Sequence, residues 1–392
     1  MPHPTVCRNP DCPNHASPPG SWYRLHGHYH TKAFGPVRRY RCKNCRRTVS
    51  HQTESTHYYS KQPLPLSRLS RELSGRSMRD VAREFGVSSA VIRNNVLRLG
   101  RQCMAAQIHL LDQMKARKTV AFDGLRSFVT SQDYPCDITT VVDSDSQSIL
   151  TMVHSIFRRG GNRTASQTTR IARKYAQWTP ASRSMTRDIS LLTKEMIGYL
   201  DLTGDAPAVV HTDRHLIYYR VLQKGAAGAC QRRGVLRHQR TSSLLPRTTE
   251  NPLFPVNYVD RLLRHREKEH TRETIAFGRH AVVQMHRAWI WAWDHNMQRE
   301  YRVVKPELGT HVERGVMEKA GIRRIFRELW GRRLSVRGKE VPETIRTVWC
   351  GALQTPPVRW RKGVAKERWK MRIPNYCIED IREGERAESS WG

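Results

Sequence analysis

Four cysteines set the strongest constraint on what this chain can fold into. Cys7 and Cys12 are separated by four residues, Cys42 and Cys45 by two, and about thirty residues lie between the pairs. The first fifty residues are otherwise rich in basic and His side chains, poor in aliphatics and without a sustained helical period. So little apolar burial cannot hold a segment of this size together, and it needs a staple. Two short-spaced thiol pairs converging on one ion meet the tetrahedral demand of zinc, with the intervening chain forming a ribbon. The expected ligands are Cys7, Cys12, Cys42 and Cys45. Their zinc is read as structural, because a catalytic zinc keeps an open position with an acid or base beside it. His15, His26, His28 and His30 could substitute as ligands but read better as solvated loop residues. The second knuckle, RCKNCRRT, presents Arg46 and Arg47 outward as candidate contacts for an anionic partner.

Charge narrows the partner. The 392 residues hold 68 Lys and Arg against 35 Asp and Glu, a net +33, which calls for a polyanion. Residues 1 to 120 alone carry 21 basic and 6 acidic side chains, so the N-terminal part reads as a binding front end. Ten Trp, thirteen Tyr and eight Phe argue against wholesale disorder. No window of about 18 residues is free of charge, and the N-terminus lacks the apolar core of a signal peptide. A cytoplasmic, nucleoid-associated protein with no membrane partner is therefore expected, and in that reducing setting cysteine pairs read as metal ligands rather than disulfides.

Residues 77 to 99, SMRDVAREFGVSSAVIRNNVLRL, have the pattern of a helix-turn-helix. Val81, Ala82 and Phe85 form one apolar face, Gly86 makes the tight turn, Val87 fills the gap between helices, and Ser88 caps the second helix. Val91, Ile92, Val96 and Leu99 point inward. Ser89, Ala90, Arg93 and Asn94 are then left to face a major groove, where Arg and Asn side chains read guanine and adenine edges.

At Lys118 the pattern changes to β-branched, period-2 stretches, KTVAFDGLRSFV and DITTVVDSDSQSILTMVHS, followed by a helical stretch around residues 188 to 202, the strand APAVVHTD and the helix HLIYYRVLQ. A loop-rich segment with one strand, GVLRHQR, and a helical region from Tyr258 to about Asn296 come next. This order predicts a mixed α/β domain. Acidic residues are scarce, and two of them, Asp123 and Asp213, close apolar strands. Carboxylates at the ends of neighbouring strands suit hard divalent ions, and a third acid from a helix would complete a two-metal site for attack on a phosphodiester. Asp143 and Asp145 read as hairpin-turn acids.

These features together resemble the DDE transposases of prokaryotic insertion sequences, in the form that carries a zinc ribbon and helix-turn-helix before a ribonuclease-H-like catalytic domain. The resemblance spans about residues 5 to 300. It rests on CRNPDC and RCKNC, the helix-turn-helix, AFDGLRSF, VVHTD and the block NPLFPVNYVDRLLRHREKEHTRETIAFGRH. It implies that Asp123 and Asp213 are the first and second catalytic acids and that the last block holds the third. That block offers Asp260, Glu267, Glu269 and Glu273. At 100° per residue Asp260, Arg264 and Glu267 share a face beside Val259 and Leu263, while Glu269 and Glu273 lie away from it. The pattern selects Asp260, where the family has Glu, and leaves Glu267 and Glu273 as alternatives.

The expected organisation is a ribbon at 1–60, a helix-turn-helix at 61–104, a linker helix at 105–118, a catalytic domain at 119–300 and a basic, Trp-containing region at 301–392. Arg264 and Arg272 are candidate DNA-backbone contacts, and His211 lies on the strand face of Asp213. The resemblance implies Mg²⁺ or Mn²⁺ at the acids, double-stranded DNA (element ends and target) as partner, a homo-oligomer bridging two ends, and strand cleavage and transfer. The alternatives are a catalytically inactive DNA-binding regulator and a metal-dependent nuclease that does not join ends.

Overall fold

The computed structural model describes residues 3–9, 11–271, 276–357, 373–379 and 381. The N-terminal segment opens with a short helix, α1 (Pro13–Ala16), and forms a three-stranded antiparallel sheet of β1 (Tyr23–Thr31), β2 (Gly35–Cys42) and β3 (Thr48–Ser50) in that order. Its core is small, with Trp22, Tyr40 and Val49 packed among the buried cysteines. That composition is what leaves it dependent on a staple.

Three helices follow: α2 (Leu66–Leu73), α3 (Met78–Glu84) and α4 (Ser89–Leu111). Ser77 and Ser88 cap α3 and α4, their hydroxyls accepting the N–H groups of Asp80 and Val91. Gly86 stands between the two helices at φ +62°, a conformation open to glycine at no steric cost. Val81, Ile92, Val96 and Leu99 are fully buried against one another, as their spacing requires. Helix α4 runs unbroken through residues 104 and 105, so the expected linker helix is the continuation of the same helix.

The larger sheet holds β4 (Thr119–Phe128), β5 (Pro135–Asp143), β6 (Ile149–Ile156), β7 (Ala208–Asp213) and β8 (Leu236–Thr241) in the order β6-β5-β4-β7-β8. The pairs β4/β5 and β5/β6 are antiparallel, and β4/β7 and β7/β8 are parallel. Helices α5 (Ala165–Gln177) and α6 (Ser184–Ile197) connect β6 to β7, and α7 (Leu216–Leu222) and α8 (Gly225–Arg232) connect β7 to β8. Val120, Phe122, Val141 and Leu150 pack against Ile189, Leu192, Met196, Tyr218 and Leu222 on one side of the sheet. Ala121, Leu125, Ile138, Val142 and Met152 join a second, larger core with α4, α9 (Phe254–Arg266) and α10 (Ala281–Gln298).

Helix α10 is buried on nearly every side, which is why its sequence shows no polar stripe. Trp289, Trp291 and Trp293 are core residues there. Helices α11 (Lys319–Gly331) and α12 (Glu343–Trp349) close over the same core through Ile322, Ile325, Leu329, Ile345 and Trp349. The stretch after residue 301 is thus, as far as it is described, a layer of the main body and not an appended tail; Trp360, Trp369 and Trp391 lie outside the described residues. No helix among the described residues is long and apolar enough to cross a membrane.

Candidate active site and metal centre

The two knuckles converge. Cys7 Sγ lies 3.4 Å from Cys45 Sγ, Cys12 Sγ lies 3.8 Å from Cys42 Sγ, and all four sulfurs fall within 4.8 Å of one another. A tetrahedron with Zn–S bonds of about 2.3 Å has edges of about 3.8 Å, so the cluster is compatible with a structural zinc. Burial pushes the Cys7 thiol well above its ordinary value. Cys42 moves the opposite way, to about 6: burial opposes ionisation, but the Asn14 side-chain amide and backbone N–H groups of Cys45 and Asn44 outweigh it. The ligand set therefore already contains a thiol disposed to ionise. His15 is not drawn in; its Nδ1 bonds the Cys7 carbonyl oxygen at 2.7 Å. Arg46 and Arg47 are exposed, as expected.

The acids gather at the middle of the larger sheet. Strands β4 and β7 run parallel with Ala121 opposite His211, and Asp123 and Asp213 each stand two residues further on. Asp123 does not end its strand, because β4 continues to Phe128 along β5; it stands where β7 leaves off and opens one side of β4. Asp260 approaches from α9. Burial, with the charges of Asp213 and Asp137 behind it, pushes the Asp123 carboxyl up to about 7, against a hydrogen bond from the Gly124 N–H. Burial and the charges of Asp123 and Asp137 push Asp260 well above its usual range. Asp260 Oδ1 is buried with no hydrogen-bond partner among the described residues. Asp213 accepts the backbone N–H of His215 at 2.7 Å, and Tyr218 Oη stands 3.5 Å from Asp123. Among the described residues the four thiols are the one set of metal-ligand groups within 4.8 Å of one another, so the three carboxylates are more widely spread.

The other candidates for the third acid fare differently. Helix α9 stops at Arg266, and Glu267 follows in extended conformation, so the helical face expected to carry it does not reach that far. Its carboxylate is instead taken by Arg287 of α10, whose Nε donates to it at 2.8 Å. Glu269 is held by the same guanidinium at 3.1 Å. Glu273 and Arg272 lie outside the described residues. Arg264 donates to the carbonyl oxygens of Arg126 and His270, tying α9 to β4. His211 is half-buried on β7 and its Nδ1 has no partner among the described residues. Asp143 closes β5 in a buried ion pair with Arg117 at 2.8 Å and accepts the Ser146 N–H and hydroxyl, the expected turn role, and Asp145 is exposed. On α4, Ser89, Ala90 and Asn94 are exposed and Arg93 is half-buried.

Sequence reasoning passed over Asp137 of β5, whose carboxyl is 2% exposed. It accepts the Thr139 hydroxyl at 3.1 Å and stands 3.5 Å from Arg126 Nε. A Cβ added to Gly124 would lie 2.6 Å from Asp137 Cγ, so the glycine after Asp123 is what admits this fourth acid. The signal was a lone carboxylate inside an apolar strand, PCDITTVVD, where charge is costly unless it is paired. Arg247, on the loop between β8 and α9, also acts on the site, its charge drawing both Asp123 and Asp260 downward. No protein-family model and no curated protein matches the chain.

Proposed function

We propose that the protein is a transposase: it binds the terminal repeats of a DNA element and catalyses metal-dependent strand cleavage and strand transfer, with Asp123, Asp213 and Asp260 as its acids. The observation that carries this reading is the gathering of carboxylates from β4, β7 and α9 in a buried site, where burial and the neighbouring acids push Asp123 and Asp260 upward and Asp260 Oδ1 is buried and unpartnered among the described residues. Acids in that state are relieved by a cation, and hard oxygen donors suit Mg²⁺ or Mn²⁺. Bound there, such an ion supplies charge neutralisation at phosphate oxygens and acidifies water. The chain's own residues hold the acids in register. Strand pairing fixes Asp123 level with Asp213, Arg264 ties the Asp260 helix to β4, and Tyr218 shields one side of Asp123.

Two further features support the reading. The sheet order, with an antiparallel β4-β5-β6 meander and β7 and β8 added parallel to β4, fits a ribonuclease-H-like domain. The capped α3–α4 corner with Ser89, Ala90 and Asn94 exposed fits a helix-turn-helix, whose contacts with element ends would be salt-sensitive at the phosphates and specific at the bases. The wide spacing of the three carboxylates favours the inactive-regulator reading as the second choice.

The test is cleavage and joining of a labelled duplex carrying the DNA that flanks the protein's own coding sequence. Wild type is compared with Asp123→Ala, Asp213→Ala and Asp260→Ala, in Mg²⁺ and in Mn²⁺. Loss of both reactions in all three variants is expected. Specific binding without cleavage by wild type in either metal would establish the regulator instead, and cleavage without joining would establish a nuclease.

A further inference from the structure

Beside the acids, at the β5–β6 edge of the large sheet, lies a groove of about 530 Å³ lined by Arg126, Gln132, Phe157, Arg158, Arg159 and Gly161. Arg126 joins the two places: its guanidinium is 3.5 Å from Asp137 and sits 4.5 Å from the centre of the Phe157 ring. Residues 157 to 161 line its outer side, and the chain from there to 174 contains Arg158, Arg159, Arg163, Arg170, Arg173 and Lys174 with no acidic residue. Cations this dense repel one another and would be mobile on an ordinary surface. Three of them are ordered from beneath. The carboxylate of Asp133, 1% exposed, binds Arg159, Arg170 and Lys174 at 2.9, 2.9 and 2.6 Å. The wall is pinned as well: Tyr175 Oη donates to the Asp133 carbonyl oxygen and accepts the Arg159 N–H, both at 2.8 Å. One acid against three bases leaves the cluster strongly positive, with the ordering of its side chains already done before a ligand arrives.

We propose that this groove is a phosphate-backbone track that receives the DNA leaving the acid cluster, with Arg126 as the hand-over point and the Asp133-anchored cations as its wall. It rests on the reading that DNA is the substrate. A duplex whose phosphodiester reaches Asp123 continues as a polyanion past Arg126, and the groove supplies fixed positive charge where the next phosphates fall. Phe157 supports the Arg126 guanidinium from beneath and holds it at the mouth of the groove.

The test is binding of a fluorescein-labelled duplex to the full-length protein by anisotropy, in magnesium-free buffer so that cleavage plays no part, across a salt series. Arg158→Glu/Arg159→Glu, both lining the groove, is compared with Arg232→Glu/Arg233→Glu, the same charge change at the end of α8 beside the opposite edge strand, β8. The groove pair is expected to weaken binding about tenfold near 0.15 M salt and to flatten the log–log salt slope by roughly 1 per arginine, with less than twofold change in the control pair. An unchanged slope in the groove pair, or equal losses in both pairs, overturns the track. Cleavage that survives Asp123→Ala would sink the catalytic reading and leave the track standing. Normal binding by the groove pair, with cleavage lost in the aspartate variants, would do the reverse.

Discussion

At pH 8 and without divalent metal the native chain holds Asp123 ionised in a buried site beside Asp213 and Asp137, where burial first and those charges second raise its carboxyl from 3.8 to about 7. The unfolded chain has no such constraint. Because the folded value lies above the unfolded one, the native state binds the extra proton between the two. Stability from this group is therefore complete below about pH 4, falls as pH rises through the interval up to about 7 and levels off above it, where both states are ionised. Asp123→Asn, neutral throughout, should raise the melting temperature by a few degrees at pH 8 and barely change it at pH 4. Mg²⁺ should stabilise wild type at pH 8 and not the variant. Thermal unfolding at the two pH values checks this, and an equal effect of the substitution at both would show that neither burial nor the neighbouring acids raise this carboxyl. Gly124 gives a second handle on the same cluster. Alanine there must displace the Asp137 carboxyl or bend β4, so Gly124→Ala should cost about 1–3 kcal/mol in a urea titration. A neutral result would mean that Asp137 moves freely and is no fixed part of the site.

At the level of elements, the decisive residue is Arg287. Its guanidinium is 2% exposed, binds Glu267 and Glu269, and donates to the carbonyl oxygens of Leu73 and Arg76; the N–H of Gly75 in the same loop bonds the Arg266 carbonyl oxygen. One side chain thus joins the end of α2, the end of α9 and the middle of α10, linking the N-terminal helices to the helix that carries Asp260. Arg287→Met leaves two buried carboxylates without their cation and should destabilise by about 3–5 kcal/mol. Adding Glu267→Gln and Glu269→Gln should recover much of that loss, and a triple variant no better than the single one would mean that packing, not charge, is what Arg287 provides. This node also explains what could be read in advance. The strands carrying Asp123 and Asp213 were legible from β-branched runs, and α9 from its apolar ridge of Val259 and Leu263. Its end was not, because HREKEHT contains neither Gly nor Pro; the chain leaves the helix at Glu267 where an ion pair with a residue twenty positions later takes hold. Asp137 was hidden for a related reason, since its place beside Asp123 follows from the β4–β5 register, which a lone acid in a strand does not reveal.

Across the whole molecule, α4 runs past residue 104 and is long enough to be buried first among α2 and α3, then against α10, α11 and the large sheet. The three-stranded sheet keeps a small core of its own, and besides Tyr58 and Tyr59 packing on Tyr376 its segment is tied to the body by polar contacts. Arg8 pairs with Glu54 within the segment at 3.1 Å, the Arg333 N–H donates to the Glu54 carbonyl oxygen at 2.7 Å, and Arg337 lies 3.2 Å from His15. Polar contacts and one cluster of tyrosine rings do not replace a core, so the ribbon's order should depend on its metal while the body's does not. The protein as purified should hold one zinc per chain, released by a thiol-modifying mercurial and absent from Cys42→Ser. Limited proteolysis of that variant should remove the first sixty or so residues and leave a resistant remainder that still melts cooperatively, because the body's tryptophans are packed independently of the ribbon. DNA binding by the variant should show a shallower salt dependence, since Arg46 and Arg47 would no longer be presented. Loss of cooperative melting of the body would contradict this, making the ribbon part of the main fold. Cleavage no different from wild type in a metal-free variant would mean that the four thiols need no ion.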